Sequence, residues 1–326
     1  MAVFPTSELN RTVRVVFLGT PEFAAVCLDS LVASRHEVVG VVTAPDRRSG
    51  RGQKIQPSAV KTSAESHGLP LLQPTNLKDS EFNEALAAWS ADVFIVVAFR
   101  MLPQVVWDAP EFGTINLHAS LLPQLRGAAP IQWAIIHGLT ESGVSTFSLQ
   151  HAIDTGDVLL QERVAIDKAD DAGALYGKLL NSGQALLVET LDRLVAGELQ
   201  PRPQASENPQ LEAPKLKREN TSIDWSESTD NVLNKIRGLH PFPKAWTASA
   251  HGDIKVLKAH AIDAAFVPSP EAQPGDTALM NGVLAVRCSD GWIGIDELIP
   301  PGKGRMSGFA WSNGLQTPLS RMGNQA

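Results

Sequence analysis

From Val13 onward, short uninterrupted apolar runs alternate with stretches of helical pattern, and this alternation leaves few folds open. The runs are VRVVFL (13–18), VVGVVTA (38–44), VFIVVAF (93–99) and TINLH (114–118). A strand with one wet face alternates polar and apolar residues, whereas a run that stays apolar is covered on both faces. Helices between the runs, one beginning near Pro21 and one within PSAVKTSAESHG, supply the crossovers that parallel strands require. The expectation is an α/β fold built on a doubly wound, mostly parallel, Rossmann-related sheet. Ligands in such sheets bind beyond the carboxyl ends of the strands, so the loops after Leu18, Phe99 and His118 are where chemistry is expected.

The pattern changes after His151. DTGDVLLQERVAI reads as a loop feeding another strand, and ALYGKLLNSGQALLVETLDRLVAG as a long amphipathic helix that closes the first domain. QPRPQASENPQLEAPKLKRENTS is rich in proline and polar residues without periodicity, and reads as an extended linker. IDWSESTDNVLNKIRGL offers one more helix, capped by Ser226 or Ser228. The β-like runs IKVLKAHAI, TALM, VLAVRC and WIGIDELI follow, separated by Gly, Pro, Asn and Asp. They predict a smaller, OB-like β-barrel domain. The expected organisation is residues 1–197 as a catalytic domain, 198–220 as a linker and 221–326 as the barrel.

Composition excludes several classes. With 43% hydrophobic and 19% charged residues, the 326-residue chain is neither disordered nor fibrous. Its net charge of -7 gives no global attraction for nucleic acid, so a polyanionic partner must be held by local clusters. Cys27 and Cys288 are far apart and belong to no CxxC or Cys/His cluster, which argues against structural zinc and a disulfide framework. MAVFPTSELNR lacks the basic region and apolar core of a signal peptide, and no apolar run reaches bilayer length. A reducing, cytoplasmic setting without a membrane partner is expected.

The first strand ends FLGTPEF, with Gly19 alone where dinucleotide enzymes carry GxGxxG, which disfavours hydride transfer on NAD. INLHASLLP is more informative. Asn116 and His118 alternate by two and so project from one face of their strand at its carboxyl edge. An amide there can donate to a developing oxyanion, and an imidazole can exchange a proton with an amine near neutral pH. In HAIDTGD, Asp154 and Asp157 flank a Thr-Gly turn. Either the turn satisfies its own backbone, or Asp154 reaches His118 and favours the protonated imidazole. PDRRSGRGQK gathers Arg47, Arg48, Arg51 and Lys54 into a glycine-containing loop, which reads as a solvated surface or as a phosphate contact. Further basic residues, Lys215, Lys217, Arg218, Lys235, Arg237, Lys303 and Arg305, lie in the second half. Trp89, Trp107, Trp133, Trp225 and Trp246 sit among apolar neighbours and read as core.

Taken in order, GTPEF, PDRRSGRGQK, INLHASLLPQLRGAAPIQW, DTGDVL, IDW and GLHPFPKAW resemble the methionyl-tRNA formyltransferase family, from about Val13 to beyond Trp246. The resemblance implies transfer of a formyl group from 10-formyltetrahydrofolate to the α-amine of methionyl-initiator tRNA. It places Asn116, His118 and Asp154 at catalytic positions. Ser120, Leu121, Leu122 and Pro123 line the folate site, and Phe99 borders the pterin pocket. Arg47, Arg48, Arg51 and Lys54 approach the acceptor end of the tRNA, and Lys215, Lys217, Arg218, Lys303 and Arg305 extend the basic track. Neither a metal nor a covalent enzyme intermediate is implied, and a monomer is expected. HxSLLP and DTGD are shared more widely by 10-formyltetrahydrofolate enzymes. A formyltransferase for a sugar-nucleotide amine and a non-catalytic tRNA-binding module therefore stand as alternatives. The chain departs from the family pattern at Arg100, Ala119, Pro214-Lys215 and His240-Pro241-Phe242-Pro243.

Overall fold

The apolar runs become the middle of a seven-stranded sheet. In spatial order its strands are Val158–Ala165, Glu141–Ser148, Thr114–His118, Val93–Val97, Arg14–Gly19, Glu37–Val42 and Leu71–Leu72. The computed structural model describes residues 12–49, 54–205, 211–263 and 271–323. They fall into two units: residues up to 126, with 142–164 and 177–211, form the first, and 127–141, 165–176 and 212 onward form the second.

In the first unit Arg14–Gly19 is central. The chain leaves it to one side, through Glu37–Val42 and Leu71–Leu72, then returns to the other, through Val93–Val97 and Thr114–His118, all by parallel pairings. The order therefore reverses between Arg14–Gly19 and Val93–Val97, and the loops after Gly19 and Val97 flank a topological switch point. Val93–Val97 is buried at every position, as an unbroken apolar run demands. Thr114–His118 then pairs antiparallel with Glu141–Ser148, so the sheet is mostly parallel and carries an antiparallel addition. Helices Glu22–Val32, Ala59–Ser66 and Ser80–Ala88 make the crossovers; Ser58 caps the second by accepting from Lys61 N at 3.0 Å. A Cβ built on Gly19 would lie 2.7 Å from Ala24 Cβ and 2.8 Å from the Phe17 ring. This glycine therefore serves close packing of strand on helix, and its presence needs no dinucleotide.

The second unit holds the four β-runs expected from sequence. Its sheet runs Ala245–Thr247, Ile254–Ala261, Trp292–Ile299, Val283–Arg287, Thr277–Met280, with Met306–Ser307 added beside Trp292–Ile299. Its strand pairings are antiparallel among the described residues. The two edges are joined by residues near the carboxyl end: Met322 bridges Ser249, and Arg321 bridges Asp276. This closing segment makes the sheet barrel-like and covers edges that would otherwise offer unpaired backbone. Ile254, Val256, Leu284, Val286, Ile293 and Ile295 fill the interior together with Trp225, Trp311 and Met322. Helix Thr229–Gly238 packs on the barrel, and Ser228, not Ser226, supplies its cap, accepting from Asn231 N; Ser226 bonds Asp224 instead. Cys27 and Cys288 are both buried free thiols, and burial pushes each up to about 12.

Candidate active site

Asn116 and His118 stand at the carboxyl end of the strand Thr114–His118, opposite Phe147 and Ser145 of the antiparallel neighbour. Between them, Leu117 turns to the other face, toward Gly183 on the long helix Ala172–Ala196, where a Cβ would lie 3.2 Å from the Leu117 side chain. The alternation thus directs amide and imidazole together away from that helix. Among the described residues the Asn116 carboxamide makes no hydrogen bond, so its N–H donors are available.

His118 is 8% exposed. Its Nε2 lies 2.9 Å from the Leu125 carbonyl oxygen, which can only accept, so Nε2 carries the hydrogen. The other nitrogen, Nδ1, faces the Asp154 carboxylate with Oδ2 at 3.8 Å. That separation is longer than a hydrogen bond and within ion-pairing distance. With Nε2 so committed, Nδ1 is the ring nitrogen that faces the acidic loop.

Both residues that hold the imidazole have unusual backbones. Leu125 has φ +58 and Asp154 has φ +52, a left-handed conformation costing a non-glycine residue about 1–2 kcal/mol. Surrounding hydrogen bonds offset the cost. Leu125 N donates to Leu211 O at 2.7 Å. Gln204 Nε2 donates to the Asp154 carbonyl at 2.9 Å and to the Gly156 carbonyl at 2.7 Å, while its Oε1 accepts from Arg126 Nε and Nη2.

The SLLP turn is built into the fold. Ser120 is fully buried and donates to Gln124 O at 2.6 Å. Ser145 Oγ donates to Ser120 O and accepts from Leu122 N, while Gln161 reaches Leu122 O at 2.9 Å. Leu122 packs with Phe147 and Val158. Leu121 and Pro123 keep partial exposure. The hydroxyl of Ser120 and the side chain of Leu122 are occupied by the protein itself.

Two clefts open in the first unit near the carboxyl ends of the strands. One, of about 360 Å³, is lined by Thr20, Pro45, Arg47, Ser58, Phe99 and Arg100. The other, of about 720 Å³, is lined by Thr75, Lys78, Arg100, Met101, Val105 and His151 among others. Met101 is 69% and Val105 59% exposed, large apolar side chains left open to solvent. Arg100 is not a free charge at this entrance: its guanidinium donates to the carbonyls of Pro74 and Thr75. Burial, and secondarily the nearby Arg47, lower its pKa from the usual arginine value.

The arginine stretch is more ordered than the glycine-containing loop expected from sequence. Arg47–Ser49 and Lys54–Gln56 form an antiparallel ribbon, with Arg47 opposite Gln56 and Arg48 opposite Ile55. At its foot Asp46 bonds Lys61 at 2.7 Å and Gln73 at 2.8 Å, and these contacts hold its carboxyl below the usual range. Arg47 and Arg48 are exposed and make no ion pair among the described residues. Arg51 and the side chain of Lys54 lie outside the described residues.

In the second unit the basic residues divide. Lys215, Lys217 and Lys303 are exposed. Arg218 is paired with Asp253 at 2.5 Å and lies over the Trp246 ring at 3.7 Å, and Arg305 pairs with Glu297. Lys235 and Arg237 do not extend a basic surface. Lys235 is half-buried and its pKa is lowered by burial, while Arg237 is bonded to Asn234 and to Asp170 O. Of the arrangement around Asp154, Gln204 and the placement of Arg126 were not visible in sequence, because a glutamine in a proline-rich stretch carries no periodic signal.

Comparison with known proteins agrees with this geometry. The family model described as formyl transferase matches residues 13–191, and the formyl transferase C-terminal domain matches residues 215–316. A methionyl-tRNA formyltransferase of Bacteroides fragilis is 44% identical over 298 residues, which cover 90% of this chain and 92% of that protein. Two solved structures share the fold at low identity. HypX from Aquifex aeolicus, in complex with tetrahydrofolic acid, has a TM-score of 0.61 at 18% identity, covering 95% of this chain and 51% of that one. The N-formyltransferase from Helicobacter canadensis, in complex with folinic acid and dTDP-3-aminofucose, has a TM-score of 0.61 at 17% identity, covering 87% and 99%. With both halves matched and close similarity along nearly the whole length, this chain belongs to the methionyl-tRNA formyltransferase family.

Proposed function

We propose that this chain transfers the formyl group of 10-formyltetrahydrofolate to the α-amino group of methionyl-initiator tRNA in the cytoplasm. The observation that carries the reading is the His118 imidazole at the carboxyl end of its strand, with the carboxylate of loop residue Asp154 3.8 Å from Nδ1 and Asn116 two residues back on the same strand face. The amine nitrogen attacks the formyl carbon, the carbon–nitrogen bond to the folate breaks, and one proton passes from the amine toward the departing folate nitrogen. Asn116 donates to the oxygen that gains negative charge. His118, with Nε2 committed to Leu125, handles the proton at Nδ1, the nitrogen that faces the Asp154 carboxylate.

The residues present suit a folate. Its flat rings need an apolar groove and its glutamyl carboxylates need cations. The cleft that exposes Met101 and Val105 beside Lys78 and His151 offers both. Phe99 lines the neighbouring cleft, and Ser120, Leu121, Leu122 and Pro123, in the turn directly after His118, are the further folate contacts of this reading. Within this reading residues 1–197 carry the chemistry, 198–220 connect, and 221–326 hold tRNA; the protein acts as a monomer. The deciding experiment is formylation with 10-formyltetrahydrofolate, offering methionylated initiator tRNA beside an elongator tRNA and an amino sugar nucleotide. Preference for the sugar would refute the substrate assignment.

The tRNA reading is supported by Arg47 and Arg48 on the ribbon, exposed and without an ion pair among the described residues, with Arg51 and Lys54 close by in sequence. Lys215, Lys217 and Lys303 are the further contacts proposed in the second unit; Arg218 and Arg305 join them only if phosphate displaces their acidic partners. Reversing charge at Arg47 and Arg48 is expected to weaken tRNA binding and to flatten its salt dependence. The slope of log affinity against log salt falls by about 0.7–0.9 per lost phosphate contact. Anisotropy titrations at several salt concentrations check this, and an unchanged slope would mean that the arginines are merely solvated.

A further inference from the structure

The approach of His118 Nδ1 to Asp154 depends on how the backbone of the Asp154 loop is held. Asp154 keeps its left-handed backbone only while its loop is held, and the loop's carbonyls at Asp154 and Gly156 are held from outside. We infer that Gln204, in the proline-rich segment after the long helix, is a positioning residue that fixes the spacing of His118 and Asp154, with Arg126 fixing which way its amide faces. This inference rests on the formyl-transfer reading above.

The two hydrogens on Gln204 Nε2 are both used, one toward each carbonyl, at 2.9 and 2.7 Å. Its Oε1 receives Arg126 Nε at 3.0 Å and Nη2 at 2.6 Å. This settles the amide orientation. A half-turn about the terminal bond would set the amide hydrogens against the guanidinium and the amide oxygen against two carbonyl oxygens, losing all four bonds. Arg126 also polarises the amide, drawing electron density toward Oε1 and strengthening Nε2 as a donor.

The residue before Arg126 completes the device. Leu125 accepts from His118 Nε2 at 2.9 Å. One dipeptide therefore reaches the imidazole through a backbone carbonyl and the acidic loop through a guanidinium and Gln204. The segment carrying Gln204 is itself tied to the first unit on both sides of the glutamine. Arg202 exchanges backbone bonds of 2.8 and 2.9 Å with Val158. Leu211 N donates to Gln124 Oε1 at 2.9 Å, and Leu211 O accepts from Leu125 N. A stretch that composition marks as a spacer thus braces the loop that carries Asp154.

The test is a double-mutant cycle in the full chain, with steady-state formylation as readout. Gln204→Ala removes all four bonds. Gln204→Glu keeps the acceptor for Arg126 and sets an anionic oxygen against two carbonyls. Each is expected to lower kcat roughly 10²-fold, the effect of an ångström-scale misplacement, with KM for both substrates within about twofold. Adding Gln204→Ala to Asp154→Asn is expected to cost nothing more, since the first change acts only through the second. A purely structural role would instead reduce the folded fraction and add to the Asp154→Asn loss. If Gln204→Ala does not accumulate as folded enzyme, Gln204→Glu decides alone. Full kcat in the Gln204 variants, with turnover abolished by Asp154→Asn, would overturn the positioning role and leave the reaction assigned; full turnover in Asp154→Asn would overturn both.

Discussion

Replacing His118 with alanine is expected to lower kcat about 10²–10⁴-fold, the range contributed by a positioned general acid–base group, while tRNA affinity stays within about twofold. The imidazole is buried to 8% exposure and held at Nε2 by Leu125, so its loss removes a proton carrier from a fixed point without disturbing the exposed ribbon that carries Arg47 and Arg48. Asn116→Ala is expected to cost about 10²–10³-fold in kcat, as loss of one oxyanion donor does. Because Asn116 has no described hydrogen bond to lose, the folded state should hardly notice. Single-turnover formylation with saturating substrates separates chemistry from binding. Turnover surviving both substitutions would remove the strand-end pair from the mechanism.

The second large effect is expected at Gly156. A Cβ at this position would lie 1.6 Å from the Ser148 carbonyl oxygen, which is backbone and cannot swing away as a side chain would. That carbonyl belongs to the strand Glu141–Ser148, paired directly with Thr114–His118. Gly156→Ala must therefore push the 154–157 loop off the sheet, breaking the Gln204 bond to Gly156 and withdrawing Asp154 from His118. The strain is expected to destabilise the first unit by about 3 kcal/mol and to lower its melting temperature by several degrees. Turnover should fall to the level of Asp154→Asn. Calorimetry and the formylation assay on the same sample check both, and a variant with full activity would show that the loop can be re-seated elsewhere.

Much of the fold could be read from the chain because its evidence is local. Val93–Val97 is apolar at every position, and only a strand covered on both faces needs that. The pairing of Asn116 with His118 was legible for the same reason: two residues apart on a strand means one face. The meeting of Asp154 with His118 was not, since it depends on where an antiparallel excursion returns. The ribbon at Arg47–Gln56 was hidden because three-residue strands of charged side chains carry no apolar alternation. Closure of the second sheet by Arg321 and Met322 was hidden too, because isolated bridges leave no pattern in composition. The family motifs pointed to the groups proposed to react. They were silent about Gln204, whose partners are mostly backbone carbonyls and whose identity matters only through geometry.

The stretch from His118 to Leu125 and Arg126 behaves as a ruler. One end bears the imidazole, and the other end both grips that same ring and, through Gln204, anchors the acidic loop. Point changes within the turn can be absorbed by repacking, but adding or deleting a single residue would move both grips out of phase at once. The length of this turn, more than the identity of any one residue in it, therefore sets where the ring and the carboxylate meet.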